Sequence, residues 1–214
     1  IDKAVRPLSV MGATKRLAEF VVQDYACRAK REKKETDKEI NFSMVRFGNV
    51  LNSSGSVVPL FAKQIQAGGP ITITDKRAER YFMTIIDAVK LVLETTLISK
   101  NGNIMLLKMG KQVKILEVAK KLAKFYGLTI RDKKNPTGEI GLVEIGLRPG
   151  EKIKEELHYD NKTKKTVNKD ILCVDNLKLN IEKFKSLQKD INYCITKNNS
   201  KDLKKILLNQ KNMF

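Results

Sequence analysis

Residues 42–66 read FSMVRFGNVLNSSGSVVPLFAKQIQ. Phe42 to Phe47 is short and mostly apolar, so it predicts a buried strand. The small and polar residues of 48–56 predict a loop, and Val57 to Gln66 predicts a helix that Gly68-Gly69-Pro70 ends. A buried strand, a loop and a helix in that order are the repeating unit of folds with parallel sheets.

The rest of the sequence continues this alternation of helices and strands. Ser9 is positioned to cap a helix that runs through Arg31, and Thr84 is the expected cap of a later one. Further predicted helices cover 86–98 and 115–126, and predicted strands cover 71–74, 81–83, 104–107 and 142–145. Strands separated by helices of about ten or more residues favour parallel pairing, so we predict an α/β fold.

The composition indicates a folded, soluble chain. Its 214 residues are 42% hydrophobic, enough for one large domain or two small ones. No apolar run approaches the ~20 residues of a transmembrane helix, and no leader pattern opens the sequence. Cys27, Cys173 and Cys194 are odd in number and lack nearby histidines, so we expect neither a disulfide framework nor a metal site. A reducing cytosol is the expected compartment.

The net charge of +18, from 42 cationic and 24 anionic residues, raises nucleic acid as a partner. The excess is mainly lysine and is spread along the chain. Modules that bind single strands interleave aromatic residues with cations, whereas aromatic residues here are 6% and tryptophan is absent. We therefore do not expect nucleic acid as the partner. Retention on DNA with a steep salt dependence would contradict this.

Four stretches carry side chains suited to catalysis or ligand binding. Each stretch taken singly also has an ordinary structural explanation. Met11 and Lys15 lie one helical turn apart, after the dipeptide Asp2-Lys3 in a segment that we predict to be non-helical. The loop 48–56 allows close backbone approach and offers hydroxyls and amides to phosphate oxygens. The other two stretches are Arg77, Arg80 and Tyr81 near a turn, and Arg148-Pro149-Gly150-Glu151, which we expect to precede a short helix.

Together these stretches resemble one family, the UDP-N-acetylglucosamine 4,6-dehydratases, which are CapD-like polysaccharide-biosynthesis proteins of the extended short-chain dehydrogenase/reductases. The resemblance covers about residues 1 to 157. The matching segments are DKAVRP (2–7), VMGATKR (10–16), VRFGNVL (45–51), SSGSVVPLF (53–61), RYFMT (80–84) and GLRPGEK (146–152). It implies the C-terminal part of a Rossmann-type parallel sheet with a small substrate-binding α/β region.

The resemblance implies an NAD-dependent lyase that converts UDP-N-acetylglucosamine to a 4-keto-6-deoxy sugar nucleotide for surface polysaccharide or glycan synthesis. A hydride leaves C4 of the sugar for the nicotinamide, water is lost across C5 and C6, and the hydride returns to C6. Elimination needs a base for the C5 proton and an acid for the C6 hydroxyl. The resemblance gives these roles to Lys3 and Asp2.

The resemblance also gives the cofactor residues. Lys15 matches the lysine that holds the nicotinamide ribose, and Phe47 and Gly48 are implied to lie at the cofactor. Met11 occupies the position where most short-chain dehydrogenases have a tyrosine, and a thioether has no proton to give. The methionine resembles the long, membrane-anchored subgroup. Either Lys15 or Lys3, directly or through water, is the candidate to remove the C4 hydroxyl proton.

The UDP-sugar contacts are implied in the same way. The resemblance places Asn49, Ser56, Val57 and Arg80 around the hexose and UDP, Arg148 on the diphosphate and Glu151 near the uridine ribose. Arginine recognises phosphate oxygens through paired hydrogen bonds that lysine does not reproduce. Besides the UDP-sugar substrate, a homo-oligomer is left open.

A dinucleotide-binding fold begins with a glycine-rich turn, and no Gly-x-Gly-x-x-Gly spacing occurs in this sequence. We therefore expect a missing N-terminal half, in the same parent chain or a separate one. The isolated chain is expected to be inactive and cytoplasmic, with the parent anchored at the inner membrane by the absent region. The expected regions are 1–109, the C-terminal half of the NAD-binding domain with inserted substrate-binding segments; 110–158, a substrate-binding region; and 159–214, a lysine- and asparagine-rich appendage.

Two other functions remain open at this point. A UDP-hexose 4-epimerase on the same scaffold would release an epimer instead of a stable 4-keto-6-deoxy sugar. A non-catalytic remnant would only dock to a partner. Mixing the chain with a separately expressed N-terminal half and testing for dehydration distinguishes the remnant from an enzyme.

Overall fold

The computed structural model describes residues 2–32, 40–158, 163–174 and 179–209, with the side chains of Asp2 and Glu32 outside the description. The chain divides into two compact units. Unit 1 comprises 1–47, 91–108 and 156–214, and unit 2 comprises 48–90 and 109–155. Along the sequence, the chain leaves unit 1 twice and returns to it twice.

Helices and strands alternate through most of the chain, as the sequence predicts. The helices are α1 (Val10–Glu32), α2 (Val57–Gln66), α3 (Ile85–Ile98), α4 (Ile115–Phe125), α5 (Ile181–Thr196) and α6 (Ser200–Leu208), preceded by a 3₁₀ helix at Asp2–Ala4. The strands are β1 (Met44–Arg46), β2 (Asn49–Val50), β3 (Ile71–Ile73), β4 (Glu79–Arg80), β5 (Phe82–Met83), β6 (Ile104–Leu107), β7 (Val113–Lys114), β8 (Ile130–Arg131), β9 (Ile140–Glu144), β10 (Thr163–Lys165) and β11 (Ile171–Val174).

Unit 1 is built on a four-stranded mixed sheet in the order β1-β6-β11-β10. The strands β1 and β6 pair in parallel, with Met44 opposite Ile104 and Arg46 opposite Leu106. All four residues of β6 are buried, as expected for a strand covered on both faces. The predicted parallel pairing is confirmed here, and β11 and β10 extend the sheet in antiparallel fashion.

The described part of the C-terminal region packs into unit 1. Strand β11 pairs with β6, and α5 and α6 cover α1 with a shared apolar core. The rings of Phe20 on α1 and Phe184 on α5 meet edge to face at 6.0 Å between centroids. The lysine-rich composition of this region concealed the buried positions, which recur at helical spacing in α5 as Phe184, Leu187 and Ile191.

Unit 2 contains a parallel three-stranded sheet in the order β3-β9-β8 and two smaller pairs, β2-β5 and β4-β7. The helices α2 and α4 pack on β3 around Phe61, Ile65 and Ala119. Strands β2 and β5 are parallel, and β4 and β7 are antiparallel. The two small pairs hold the segments around Asn49 and Arg80, two of the predicted substrate residues.

Three local predictions are wrong. The predicted loop 48–56 contains the short strand β2 at Asn49–Val50, which pairs with β5. The segment at Asp2-Lys3 forms a 3₁₀ helix instead of a non-helical stretch. Residues 152–158 contain no helix after Glu151, because the chain there turns back toward β4, where Glu79 N donates to Ile153 O at 2.8 Å. None of the helices in the described part of the chain has the length and apolarity to cross a bilayer.

Candidate functional site

The start of α1 carries two of the predicted catalytic residues. Ser9 caps the helix, since its hydroxyl accepts a hydrogen bond from Gly12 N at 3.1 Å and its carbonyl accepts from Ala13 N at 2.9 Å. Met11 and Lys15 are four residues apart and therefore share a helix face. Both are exposed, Met11 to 53%. The cap therefore fixes the helix turn that carries the exposed side chains of Met11 and Lys15.

Gly12 brings the start of α1 against the 3₁₀ helix. A Cβ built on Gly12 would lie only 2.6 Å from the carbonyl oxygen of Lys3 and 3.1 Å from Cβ of Pro7. Only glycine permits this approach, which explains its place directly after Met11. The structure therefore brings the Lys3 segment beside the helix turn of Met11 and Lys15. The side chain of Asp2 lies outside the described atoms, so its predicted role stays a prediction.

A buried charge network lies behind this turn. Arg46 of β1 donates from Nε to Glu19 Oε1 and from Nη2 to Glu19 Oε2, both at 2.6 Å. Arg16 of α1 donates to Glu19 Oε2, also at 2.6 Å. Arg46, Arg16 and Glu19 are 0%, 3% and 7% exposed. The network joins α1 to β1 at the point where β1 leads into Phe47 and Gly48.

Opposing effects act on the Glu19 carboxyl. Burial alone would raise its pKa, but the hydrogen bonds and charges of Arg46, and then those of Arg16, outweigh this effect. The pKa of Glu19 is therefore lowered, and the residue is ionised at neutral pH. Sequence reasoning missed the network, although an arginine inside the buried strand Phe42–Phe47 was a signal that a buried carboxylate must face it.

Gly48 begins unit 2 and packs against Tyr81. A Cβ on Gly48 would lie 2.7 Å from Cβ of Tyr81, and the next residue, Asn49, donates from its backbone N to Tyr81 O at 2.9 Å. The glycine is therefore required by the close pairing of β2 with β5. The packing of Gly48 on Tyr81 therefore fixes the backbone position of the next residue, Asn49.

The loop after β2 ends at Ser56, the residue before α2. Its backbone N donates to Ser53 O at 3.0 Å, but its side chain makes no helix-capping hydrogen bond. The hydroxyl oxygen is buried and has no hydrogen-bond partner among the described residues. Such a group is costly unless a ligand or water satisfies it, which suits the predicted substrate contact. Val57 instead packs on the apolar core of unit 2.

Arg80 is held by protein groups on all three of its nitrogen atoms. Its Nη2 donates to Glu151 Oε1 at 2.9 Å, and its Nε lies 3.2 Å from Glu155 Oε1. Its Nη1 donates to the carbonyls of Glu79 and Ile153 at 2.8 and 3.0 Å. The side chain is 10% exposed. Arg80 is therefore a buried, paired cation in this structure.

The segment Arg148-Pro149-Gly150-Glu151 is a tight turn. Glu151 N donates to Arg148 O at 2.9 Å, and Gly150 has φ of 78°. Proline followed by a residue with positive φ is the pattern of a type II turn, and glycine suits that position. Glu151 Oε2 accepts from Arg148 N at 3.2 Å, while Oε1 accepts from Thr74 Oγ1 at 3.0 Å and from Arg80.

The structure thus forms two groups from the predicted residues. Unit 1 brings Lys3 beside the turn of Met11 and Lys15, and unit 2 joins Arg80, Glu151 and the backbone of Arg148. No cluster of three or more metal-ligand side chains occurs in the described part of the chain.

The residues predicted for NAD fit one end of such a cofactor. Lys15 is exposed at the start of α1, where an ammonium can donate to ribose hydroxyls. Phe47 follows the carboxyl end of β1, the edge at which open α/β sheets bind ligands. Close packing against Tyr81 is enough to explain the glycine at position 48, so Gly48 is not itself evidence of a bound cofactor.

The fold and these two residue groups define an α/β protein of the Rossmann-like class. A family model described as polysaccharide biosynthesis protein matches residues 1–176, and the chain belongs to that family. The predicted membership in this broader family is confirmed.

The chain is similar to two curated relatives that carry different names. The chain is 46% identical over 160 residues to the capsular polysaccharide biosynthesis protein CapD of Staphylococcus aureus, across 75% of this chain and 24% of CapD. It is 35% identical over 156 residues to a UDP-glucose 4-epimerase of Rickettsia canadensis, across 73% of this chain and 41% of the epimerase. The chain therefore spans between a quarter and two fifths of the length of these relatives.

Solved structures confirm the predicted fold class. Pen from Bacillus thuringiensis superposes with a TM-score of 0.67 at 29% identity, across 83% of this chain and 51% of Pen. A dTDP-glucose 4,6-dehydratase from Bacillus anthracis, solved in complex with NAD, gives a TM-score of 0.51 at 15% identity, across 67% of this chain and 42% of that one. The second likeness concerns the fold alone.

Proposed function

We propose that this chain is the C-terminal, substrate-binding part of an enzyme that dehydrates a UDP-N-acetylhexosamine, UDP-N-acetylglucosamine, to a 4-keto-6-deoxy sugar nucleotide. The observation that carries the proposal is the contact of Gly12 with the Lys3 carbonyl. It seats a lysine that follows an aspartate beside the helix turn of Met11 and Lys15. An elimination needs an acid and a base next to the group that holds the cofactor.

In this proposal Lys3 removes the C5 proton and Asp2 protonates the departing C6 hydroxyl. Lys3 is half-buried, which limits how far its side chain moves. Lys15 holds the nicotinamide ribose, and its positive charge favours ionisation of the C4 hydroxyl. Met11 fills the place next to the reacting carbon without exchanging a proton, because a thioether carries none.

NAD is the cofactor that we propose, by the family resemblance. When bound, it would take up a hydride from C4 of the sugar and later release it. Lys15 and the backbone at Phe47 would hold its nicotinamide end. The described residues contribute no dinucleotide-binding turn, so the remaining contacts belong to polypeptide outside these residues in our proposal.

The proposed substrate residues lie in unit 2. The unsatisfied hydroxyl of Ser56 and the side chain of Asn49 suit hydroxyl and amide groups of the hexose. Arg148 is exposed, and its guanidinium suits the diphosphate. This arrangement supports recognition of a nucleoside diphosphate sugar as the substrate class.

The proposed partner is a cofactor-binding half outside these residues. Among the described strands, β1 lies at one end of the unit 1 sheet, and Leu93 and Leu97, the exposed apolar α3 residues of the same unit, are 62% and 86% exposed. An open parallel edge and exposed apolar side chains suit a further α/β segment. We also propose that the enzyme acts at the cytoplasmic side of the membrane.

Mass spectrometry of the sugar nucleotide tests this proposal. The chain is combined with a cofactor-binding half, such as one taken from the part of S. aureus CapD outside the matched segment, and incubated with UDP-N-acetylglucosamine and NAD. The expected product is lighter by one water molecule. An assembly that binds both NAD and UDP but leaves the substrate unchanged would contradict the proposal.

A second candidate is a UDP-hexose 4-epimerase. The 35% identity to the Rickettsia canadensis enzyme favours it specifically. An epimerase returns the hydride to C4, so its product has the same mass as the substrate and an inverted C4. Proton NMR of the product sugar separates an axial from an equatorial C4 hydroxyl and thereby distinguishes the two reactions.

A further inference from the structure

The C-terminal end of α4 exposes an aromatic ring. Phe125 is 83% exposed, and its ring meets the ring of Tyr126 edge to face, with the centroids 5.9 Å apart and the planes at 79°. The buried side of the helix consists of Ile115, Ala119 and Ala123, so Phe125 does not contribute to the core of unit 2. Contact of the Phe125 ring with a partner would remove its apolar area from water, which is favourable.

Lysine side chains lie beside this ring. Lys121 is four residues before Phe125 and shares its helix face, and Lys124 precedes Phe125 directly. Both lysines are exposed, and neither has an ion pair within the described part of the chain. Lys120 differs, because it pairs with Glu117 at 3.6 Å. The two cations next to the ring are therefore available to an anionic partner.

The loop after β8 adds further cations near Lys120. The backbone N atoms of Lys134 and Asn135 donate to Asp132 Oδ1 at 2.8 and 2.9 Å and lower the pKa of this carboxyl, and the nearby charge of Lys120 lowers it further. The side chains of Lys133 and Lys134 are exposed. The carboxylate of this loop is thus occupied by its own backbone, while its two lysines face solvent.

We propose that the α4 tip, defined as residues 120–126 together with the loop 132–135, binds the surface of an anionic lipid bilayer. The phosphate groups of such lipids complement its cations. Long lysine stems let the ammonium groups stay among the headgroups while the ring of Phe125 enters the boundary with the acyl chains. Cations near an anionic surface add to the binding that the buried ring provides. This inference goes beyond the proposed reaction and does not depend on it.

Nucleic acid is the other polyanion that cations and aromatic rings attract. Proteins that bind single strands offer ring faces on which successive bases stack. In the α4 tip, the ring of Tyr126 is close to perpendicular to the ring of Phe125, so the pair does not offer two parallel faces. A bilayer surface requires only a protruding apolar ring with cations beside it. The geometry therefore favours the lipid surface.

A tryptophan at the α4 tip would report its surroundings. The 214-residue chain contains no tryptophan, so Phe125→Trp introduces a single indole. We expect its emission to shift to shorter wavelength with vesicles of phosphatidylcholine that contain about 30% phosphatidylglycerol, and not with phosphatidylcholine alone. Tyr193→Trp, at an exposed aromatic position of α5, is the matched control and should keep its emission. No shift in Phe125→Trp, or equal shifts in both variants, would overturn the proposal.

Co-sedimentation with the same anionic vesicles tests the native side chains. Phe125→Ala should lower the partition coefficient by about tenfold, and Lys121→Gln combined with Lys124→Gln by about tenfold or more. All three side chains are exposed, so these variants should fold. Lys201→Gln combined with Lys204→Gln removes the same charge from exposed positions of α6 with the same spacing, and should change the partition by less than about threefold.

Equal losses in the two double variants would show attraction by the overall net charge and overturn the proposal. Binding of the chain to a single-stranded oligothymidine distinguishes the other polyanion. If Phe125→Ala weakens oligothymidine binding and leaves the vesicle partition unchanged, the α4 tip is a nucleic-acid site and the lipid assignment is wrong. A loss of vesicle partition without a loss of oligothymidine binding supports the lipid surface.

Discussion

Arg46 and Glu19 form a two-pronged hydrogen-bonded pair, with both contacts at 2.6 Å and the arginine fully buried. Arg46 belongs to β1 and Glu19 to α1, so the pair links this strand to this helix. The helix carries Met11 and Lys15, and the strand leads into Gly48. Removing one partner leaves an uncompensated charge in a site that water does not reach.

Glu19→Gln should therefore destabilise the chain by about 3–5 kcal/mol, because both arginines lose their counter-charge while remaining buried. Urea denaturation followed by circular dichroism measures the change in the free energy of unfolding. The matched control is Glu117→Gln, in the exposed pair with Lys120, where a change within about 0.5 kcal/mol is expected. Equal effects of the two substitutions would contradict the buried network.

The same carboxyl predicts a pH dependence of stability. The folded pKa of Glu19 lies below its ordinary value of 4.5, so the unfolded state binds the proton more readily. Its contribution is fully present above pH 4.5 and is lost as the pH falls through the folded pKa. Denaturation midpoints between neutral and acidic pH should fall more steeply for the wild type than for Glu19→Gln. Parallel curves would contradict this.

Gly12→Ala tests the contact between the 3₁₀ helix and α1. The added methyl group would lie 2.6 Å from the Lys3 carbonyl, so the Asp2-Lys3 segment must shift. We expect turnover of the assembled enzyme to fall by about a hundredfold or more, since a displacement of about 1 Å at a catalytic group has effects of that size. The thermal midpoint of unfolding, measured alongside, should change too little to account for the loss of turnover.

Gly141→Ala is the control for that prediction. Its added methyl group would meet Pro70 Cβ at 3.4 Å, close to an ordinary contact. It should leave turnover near the wild-type value. A Gly12→Ala enzyme with normal turnover would show that the placement of Lys3 is not important for the reaction.

Arg148→Ala should raise KM more than it lowers kcat, because the diphosphate is bound in the ground state and in the transition state alike. Steady-state kinetics of the assembled enzyme measure both constants, and Lys63→Ala on the exposed surface of α2 serves as the control. A drop in kcat at unchanged KM would instead place Arg148 in the chemical step.

Local signals in the sequence predicted the helices well. Ser9 and Thr84 lie at the starts of α1 and α3, and Gly127 follows the end of α4, because caps and breakers act within a few residues. The helix expected after Glu151 does not form. The carboxylate of Glu151 accepts a hydrogen bond from Arg80, which is 71 residues away in sequence. No local sequence pattern reveals such a contact.

The candidate site was predictable in part. The resemblance supplied the candidate residues, whereas the close packing of Gly12 on the Lys3 carbonyl was not predicted. The pairing of Arg46 with Glu19 and the placement of β11 beside β6 depend on tertiary contacts. The roles of these side chains therefore stay predictions, while the structure shows that Arg80 is paired with Glu151 and Glu155.

The most direct test of the central claim is the mass of the sugar nucleotide after the chain, joined to a cofactor-binding half, has acted on UDP-N-acetylglucosamine with NAD in deuterated water. The account predicts loss of one water molecule and incorporation of solvent deuterium at C5, both abolished by Lys3→Met. A product of unchanged mass with inverted C4, or full dehydration by Lys3→Met, would contradict it.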